Sequence, residues 1–119
     1  MKNVILIGPV SGNVEKAKKV FSIAEVCLHK MGHLVVHNPM RNHVAGKSEA
    51  EYMKASLSKI CNLVNTDNLV AVLLPNWKMS NGAFCEAVLC KKLGIKTRTW
   101  KDLPFKIACA IYVMANQKG

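Results

Sequence analysis

Leu69-Val70-Ala71-Val72-Leu73-Leu74, closed by Pro75, is the stretch on which the fold turns. Every position before the proline is apolar, and the run is too short for a buried helix. Such a segment is expected of a central strand covered on both faces, the usual setting of a parallel sheet. Upstream, Asn3–Ile7 is a second short apolar run, rich in β-branched residues and ended by Gly8-Pro9, and it reads as another buried strand. Between the two, residues 14–31 carry Val14, Ala17, Phe21, Ala24 and Leu28 at helical spacing, with Lys16, Lys19, Glu25 and Lys30 mostly opposite. Asn13 suits the cap of that helix and Gly32 its stop. Residues 33–37 read as a strand closed by Asn38-Pro39, because proline disfavours helix in the residue before it. A loop over 40–47 follows, and Ser48 is placed to cap a helix running to about Val64.

Downstream, residues 75–81 form a loop, 82–93 a helix stopped by Gly94, 95–100 a last strand and 103–115 a closing helix. The stripe Phe105, Ala108, Cys109, Tyr112 and Ala115 on that last helix is expected to face the core. Four strand–helix alternations predict a doubly wound α/β domain, a parallel four-stranded sheet in order 2-1-3-4 with helices on both faces. No repeat or linker divides residues 1–119, so one domain is expected. In such folds ligands bind beyond the carboxyl ends of the strands where the order reverses, which directs attention to the loops after strands 1, 2 and 3.

Seventeen Lys+Arg stand against seven Asp+Glu, a net charge of +10 over 119 residues. That excess suits an anionic partner, a phosphorylated small molecule, a nucleic acid or an acidic surface, though it also describes a solvated lysine coat. Aromatic residues are too sparse for a base-stacking platform, which counts against nucleic acid. No apolar run approaches the ~20 residues of a membrane-spanning helix. The opening Met1–Pro9 lacks the pattern of a secretory leader. Five cysteines without a CxxC pair read as reduced thiols, so the expectation is a cytoplasmic protein with neither disulfide frame nor zinc site. His29, His33 and His37 recur every fourth residue, but Gly32 interrupts them, and no metal is expected.

Two loops carry groups suited to chemistry. Gly8-Pro9-Val10-Ser11-Gly12-Asn13 joins a strand to a helix start, where glycines permit close backbone approach and free amides attract an anion. It is neither a Walker A loop nor a GxGxxG fingerprint, and a tight turn with an ordinary cap is the competing reading. The second loop, Pro75-Asn76-Trp77-Lys78-Met79-Ser80-Asn81-Gly82, leads into a helix bearing Glu86 among Ala83, Leu89 and Cys90. Ser80 can cap that helix. A carboxylate embedded in apolar surroundings loses solvation and calls for a compensating role. The alternative is a core-edge carboxylate paired with a lysine. Cys85 and Cys90 read as packing residues.

Four pieces together resemble the nucleoside 2-deoxyribosyltransferase-like superfamily, with its small phage-associated branch the nearest in pattern. They are Ile7-Gly8-Pro9-Val10-Ser11-Gly12, His37-Asn38-Pro39, Tyr52, and Leu74-Pro75-x-Trp77-x-x-Ser80-x-Gly82-Ala83-x-x-Glu86. The resemblance implies a nucleotide N-glycosidase or deoxyribosyltransferase in which Glu86 attacks C1′ and expels the base. It implies that Ser80 and Gly82 hold the 5′ end or its phosphate, and that Gly8, Pro9, Ser11 and Gly12, with Asn38, Tyr52 and Trp77, line the substrate. Lys78 or Arg41 is the expected phosphate contact. The resemblance further implies self-association into a homodimer or larger homo-oligomer, and no cofactor. Where catalytic members carry an aspartate in the second helix, Tyr52–Asn62 holds no acid. Counting from Tyr52 puts Ser56 in that slot, and counting back from Glu86 puts it near Asn62. Loss of a proton donor costs roughly 10²–10⁴ in rate, which keeps a non-catalytic nucleotide-binding protein as the alternative.

Overall fold

The computed structural model describes residues 2–10, 12–41, 43 and 45–117. Four strands, β1 (Asn3–Ile7), β2 (Leu34–His37), β3 (Leu69–Leu73) and β4 (Lys96–Thr99), form one parallel sheet in the order β2-β1-β3-β4. Helices α1 (Val14–Lys30), α2 (Glu49–Leu63), α3 (Asn81–Lys92) and α4 (Phe105–Ala115) complete a doubly wound, Rossmann-like α/β domain. The expected fold class and strand order are those observed. None of the helices among the described residues is long and apolar enough to cross a membrane.

Side chains alternate along each strand, so β1 and β3 each feed two cores. Val4, Leu6, Val70, Val72 and Leu74 pack with Phe21, Ala24 and Leu28 of α1 and with Ile111 and Ala115 of α4. Ile5, Ile7, Ala71 and Leu73 face the other way, onto Ile60 of α2 and Ala83, Ala87 and Cys90 of α3.

Local chemistry sets the ends. Asn13 Oδ1 accepts from the Lys16 amide and caps α1, and Gly32, at φ +87, takes the left-handed turn that stops it. The His33 amide still bonds back to Leu28, so β2 starts one residue later than the pattern suggests. Ser48 and Glu51 form a reciprocal capping box on α2, and Ser80 caps α3. Trp100 leaves the last strand for a 3₁₀ turn, because Asp102 accepts from the Thr99 amide. Leu103 is extended ahead of Pro104, so α4 starts at Phe105.

The closing helix corrects one expectation. It buries Ala108, Ile111 and Ala115, while Phe105, Cys109 and Tyr112 are exposed, Phe105 at 81%. The apolar stripe was wide enough to be read two ways, and the smaller side chains allow closer approach to α1.

Candidate active site

A cavity of about 610 Å³ opens at the carboxyl ends of β1 and β2, between α2 and the start of α3. Its size is that of small-molecule sites, and it lies where the strand order reverses. Glu86 forms part of its wall. Among the described residues this is the one charged side chain that is buried, at 7% exposure. The Ser56 hydroxyl donates to Glu86 Oε2 at 2.8 Å, and Oε1 has no hydrogen-bond partner among the described residues. Burial pushes the Glu86 carboxyl up from 4.5 to about 7, against the opposing pull of the Ser56 hydrogen bond. Among the described residues no lysine pairs with it, which counts against the competing reading of a core-edge ion pair. Cys90 stands on the same helix, its thiol raised to about 11 by burial, by the charge of Glu86 and by Cys61.

His37 completes the polar wall. Its Nε2 lies 3.1 Å from Ser56 Oγ. Burial, followed by the nearby charges of Lys59 and Arg41, lowers this imidazole from 6.5 to about 4, so it is neutral at pH 7. Alternation alone would turn His37 away from α2. The register slips by one residue between Val4 and Ile5, so that Ile5 pairs with His37 rather than Val36. That irregularity brings His37 to the face Ile5 occupies, a re-aiming for which strand bulges beside sites are suited.

Helix α2 lays Tyr52, Ser56 and Lys59 along the cavity, at spacings of four and three that share one helical face. Tyr52 stacks on His43 with ring centroids 5.0 Å apart and planes 6° from parallel. Its hydroxyl is buried and has no hydrogen-bond partner among the described residues. A buried orphan hydroxyl is costly, and a polar ligand would relieve it.

Of the residues singled out from sequence, Gly8, Asn38, Tyr52, Ser80, Gly82 and Glu86 all line this cavity. Gly8 is also required by packing, since a Cβ there would meet Leu74 Cβ at 3.0 Å. Gly82 instead has open space where a Cβ would stand. Asn38 bonds to Glu25 Oε1 and to the Met40 amide, so its side chain shapes the loop. Ser11 lies outside the described residues. Pro9, Gly12 and Trp77 do not line the cavity. Asn76, at φ 67, starts a 3₁₀ turn over Trp77–Met79, and the Trp77 indole stacks on Phe84 instead, at 6.2 Å.

The expected phosphate contacts are likewise displaced. Lys78 lies over the Trp77 ring at 5.6 Å, and Arg41 is held 2.7 Å from Glu25. The cations that do line the cavity are Lys47 and Lys59. Lys59 was legible in principle from its spacing to Tyr52 and Ser56, whereas His37 stood in one piece of the resemblance but its turn towards α2 was hidden by the register slip. No group of three metal-ligating side chains occurs among the described residues.

A family model described as "Domain of unknown function (DUF4406)" matches residues 2–99. No curated protein and no solved structure gives a significant match.

Proposed function

The chain belongs to the DUF4406 family, and we propose that it cleaves the N-glycosidic bond of a (deoxy)nucleoside 5′-monophosphate through a covalent intermediate on Glu86. The observation that carries this reading is the state of that carboxylate: buried in a cavity wall, one oxygen held by Ser56, the other unengaged. Oε1 forms a bond to C1′ as the C1′–N bond breaks and its electron pair departs with the base. Water then takes C1′ and returns the bonding pair to Glu86, and the water proton ends on the base; in a transfer, a second base replaces water. Lys47 and Lys59 supply cations to balance a phosphate, and the orphan Tyr52 hydroxyl supplies a polar contact. The free thiols support a reducing, cytoplasmic setting, and exposed Phe84 and Val88 on α3 support self-association near the site.

The test is incubation with the common ribo- and deoxyribonucleoside 5′-monophosphates, scoring free base by chromatography and adducts on Glu86 by mass spectrometry. Wild type is expected to release base, and Glu86→Ala to release none. Because the nucleophile must be ionised, the rate should climb with pH and level off above about pH 7. Equal failure of both proteins on every substrate would sink the glycosidase reading. Binding without turnover is the second reading, favoured by the lack of any acid in Tyr52–Asn62, where the resemblance implies one. Thermal stabilisation by a nucleotide without product would select it.

A further inference from the structure

Glu86 is not held by a neighbour of its own helix but by a two-link chain running through α2 to the end of β2. We propose that Ser56 and His37 are positioning residues that aim Glu86, His37 fixing the Ser56 hydroxyl and Ser56 pinning Oε2 so that Oε1 alone addresses the cavity. This rests on the reading of Glu86 as nucleophile, and it deepens that reading by giving the slot without an acid a different task.

The hydrogen inventory assigns the chain's direction. A serine has one proton, and Ser56 commits it to Glu86 Oε2 at 2.8 Å. Its Oγ is then an acceptor towards His37 at 3.1 Å, which requires the imidazole tautomer with hydrogen on Nε2. A neutral imidazole meets that requirement, and burial beside Lys59 and Arg41 keeps it neutral. The groups facing Glu86 are Ser56 from α2 and Cys90 on its own helix, with Cys61 of α2 close to Cys90. None of these offers Oε2 a stronger donor than Ser56.

The register slip in β2 is what makes the chain possible. Without it, Val36 would stand opposite Ile5, and His37 would point to the α1 side. A slip that costs ladder hydrogen bonds and brings one imidazole to one hydroxyl is a device for orientation. In the reaction, Oε2 becomes the carbonyl oxygen of the glycosyl ester and keeps accepting from Ser56. When the C1′–Oε1 bond breaks, the electron pair returns to the carboxylate, and the same hydrogen bond strengthens against the restored charge. No proton moves through the chain.

The test uses full-length protein labelled with ¹³C at the glutamate carboxyls, with the Glu86 signal assigned by its loss in Glu86→Gln. Removing the donor by Ser56→Ala should raise the proton affinity of Glu86 about tenfold, and Ser56→Thr should restore it. His37→Phe should loosen the chain, whereas His37→Gln, which keeps an N–H donor, should stay near wild type. In parallel, Ser56→Ala should lower kcat for base release from deoxynucleoside 5′-monophosphates by about 10–100-fold with KM little changed, and Ser56→Thr should recover it. An unmoved Glu86 titration in Ser56→Ala, or equal behaviour of His37→Phe and His37→Gln, would overturn the proposal. If wild type releases no base yet the titration moves as stated, the brace stands and the glycosidase reading fails. If base release persists unchanged in Ser56→Ala, the reading stands and the brace fails. The threonine and glutamine variants guard against a loss that reflects misfolding alone.

Discussion

The two faces of this sheet are built to different ends. On one, α1 buries Ala17, Val20, Phe21, Ala24 and Leu28, and α4 closes over them with Ala108, Ile111 and Ala115. On the other, α2 is nearly as long as α1 yet buries only Ile60. The space that α2 does not fill against the strand ends is the cavity, and the buried Glu86 lines it. The difference teaches where stability and chemistry are drawn from. Close packing of α1 and α4 supplies the apolar burial that a domain of this size needs. That surplus allows the α2–α3 face to hold a desolvated carboxylate, an orphan hydroxyl and an open volume, each of which lowers stability.

The largest expected effect breaks this comparison directly. Phe21 is 1% exposed and touches the core between β1 and α1, so Phe21→Ala should cost about 3–5 kcal/mol. Met53, half-buried on α2 at the cavity wall, should cost under about 1 kcal/mol when changed to alanine. Urea unfolding of the two variants measures both. Similar losses would mean that the faces share stability evenly.

A second effect sharpens the comparison within the site. Glu86 has a folded-state value of about 7 against an ordinary 4.5, so between those values the folded chain keeps a proton that the unfolded chain has lost. Stability from this group therefore falls as pH rises through that window, by roughly 3 kcal/mol in all. His37 runs the other way. Its folded value is about 4 against 6.5, so the unfolded chain holds the extra proton, and stability rises with pH by a similar amount. The windows overlap between about 4.5 and 6.5, where the two contributions oppose each other. Relative to wild type, Glu86→Gln should gain stability as pH increases from about 4.5 to 7. His37→Gln should lose it over about 4 to 6.5. Urea unfolding at a series of pH values gives both slopes, and parallel curves for wild type and either variant would contradict the opposed burial of the two groups.

How much of this was legible depends on how local the cause is. The strand and helix positions, the Ser48 and Ser80 caps and the burial of Glu86 all follow from residues adjacent in sequence or one turn apart, where spacing carries the physics. The strand order followed from the fold class that this alternation implies. Trp77 was misjudged because a left-handed Asn76 swings the next residues into a 3₁₀ turn, a backbone choice its neighbours do not announce. The exposed Phe105 and Tyr112 were misjudged because α4 is apolar over much of its surface, and periodicity cannot then select a face. His37 needed the register slip against β1, which depends on a strand about thirty residues away. The site's acid could be read, and the count from Tyr52 reached Ser56, but the bonds that join Ser56 to Glu86 and to His37 could not, since they form only through tertiary structure.

The smallest expected effect tests whether the open face is shaped for a ligand. Tyr52→Phe removes a buried hydroxyl that has no partner among the described residues, while keeping the ring that stacks on His43. Relief of that desolvated group should stabilise the unliganded protein by about 1 kcal/mol, a small rise in Tm. If the hydroxyl awaits a polar atom of a nucleotide, the same substitution should weaken nucleotide binding by about two- to tenfold. The two measurements then move in opposite directions, with calorimetric scanning giving the first and titration with a nucleoside 5′-monophosphate the second. A stabler variant with undiminished affinity would reduce the hydroxyl to a packing flaw and would take Tyr52 out of the binding surface. A more stable protein that binds its ligand less well is what a site, as opposed to a gap in the packing, requires.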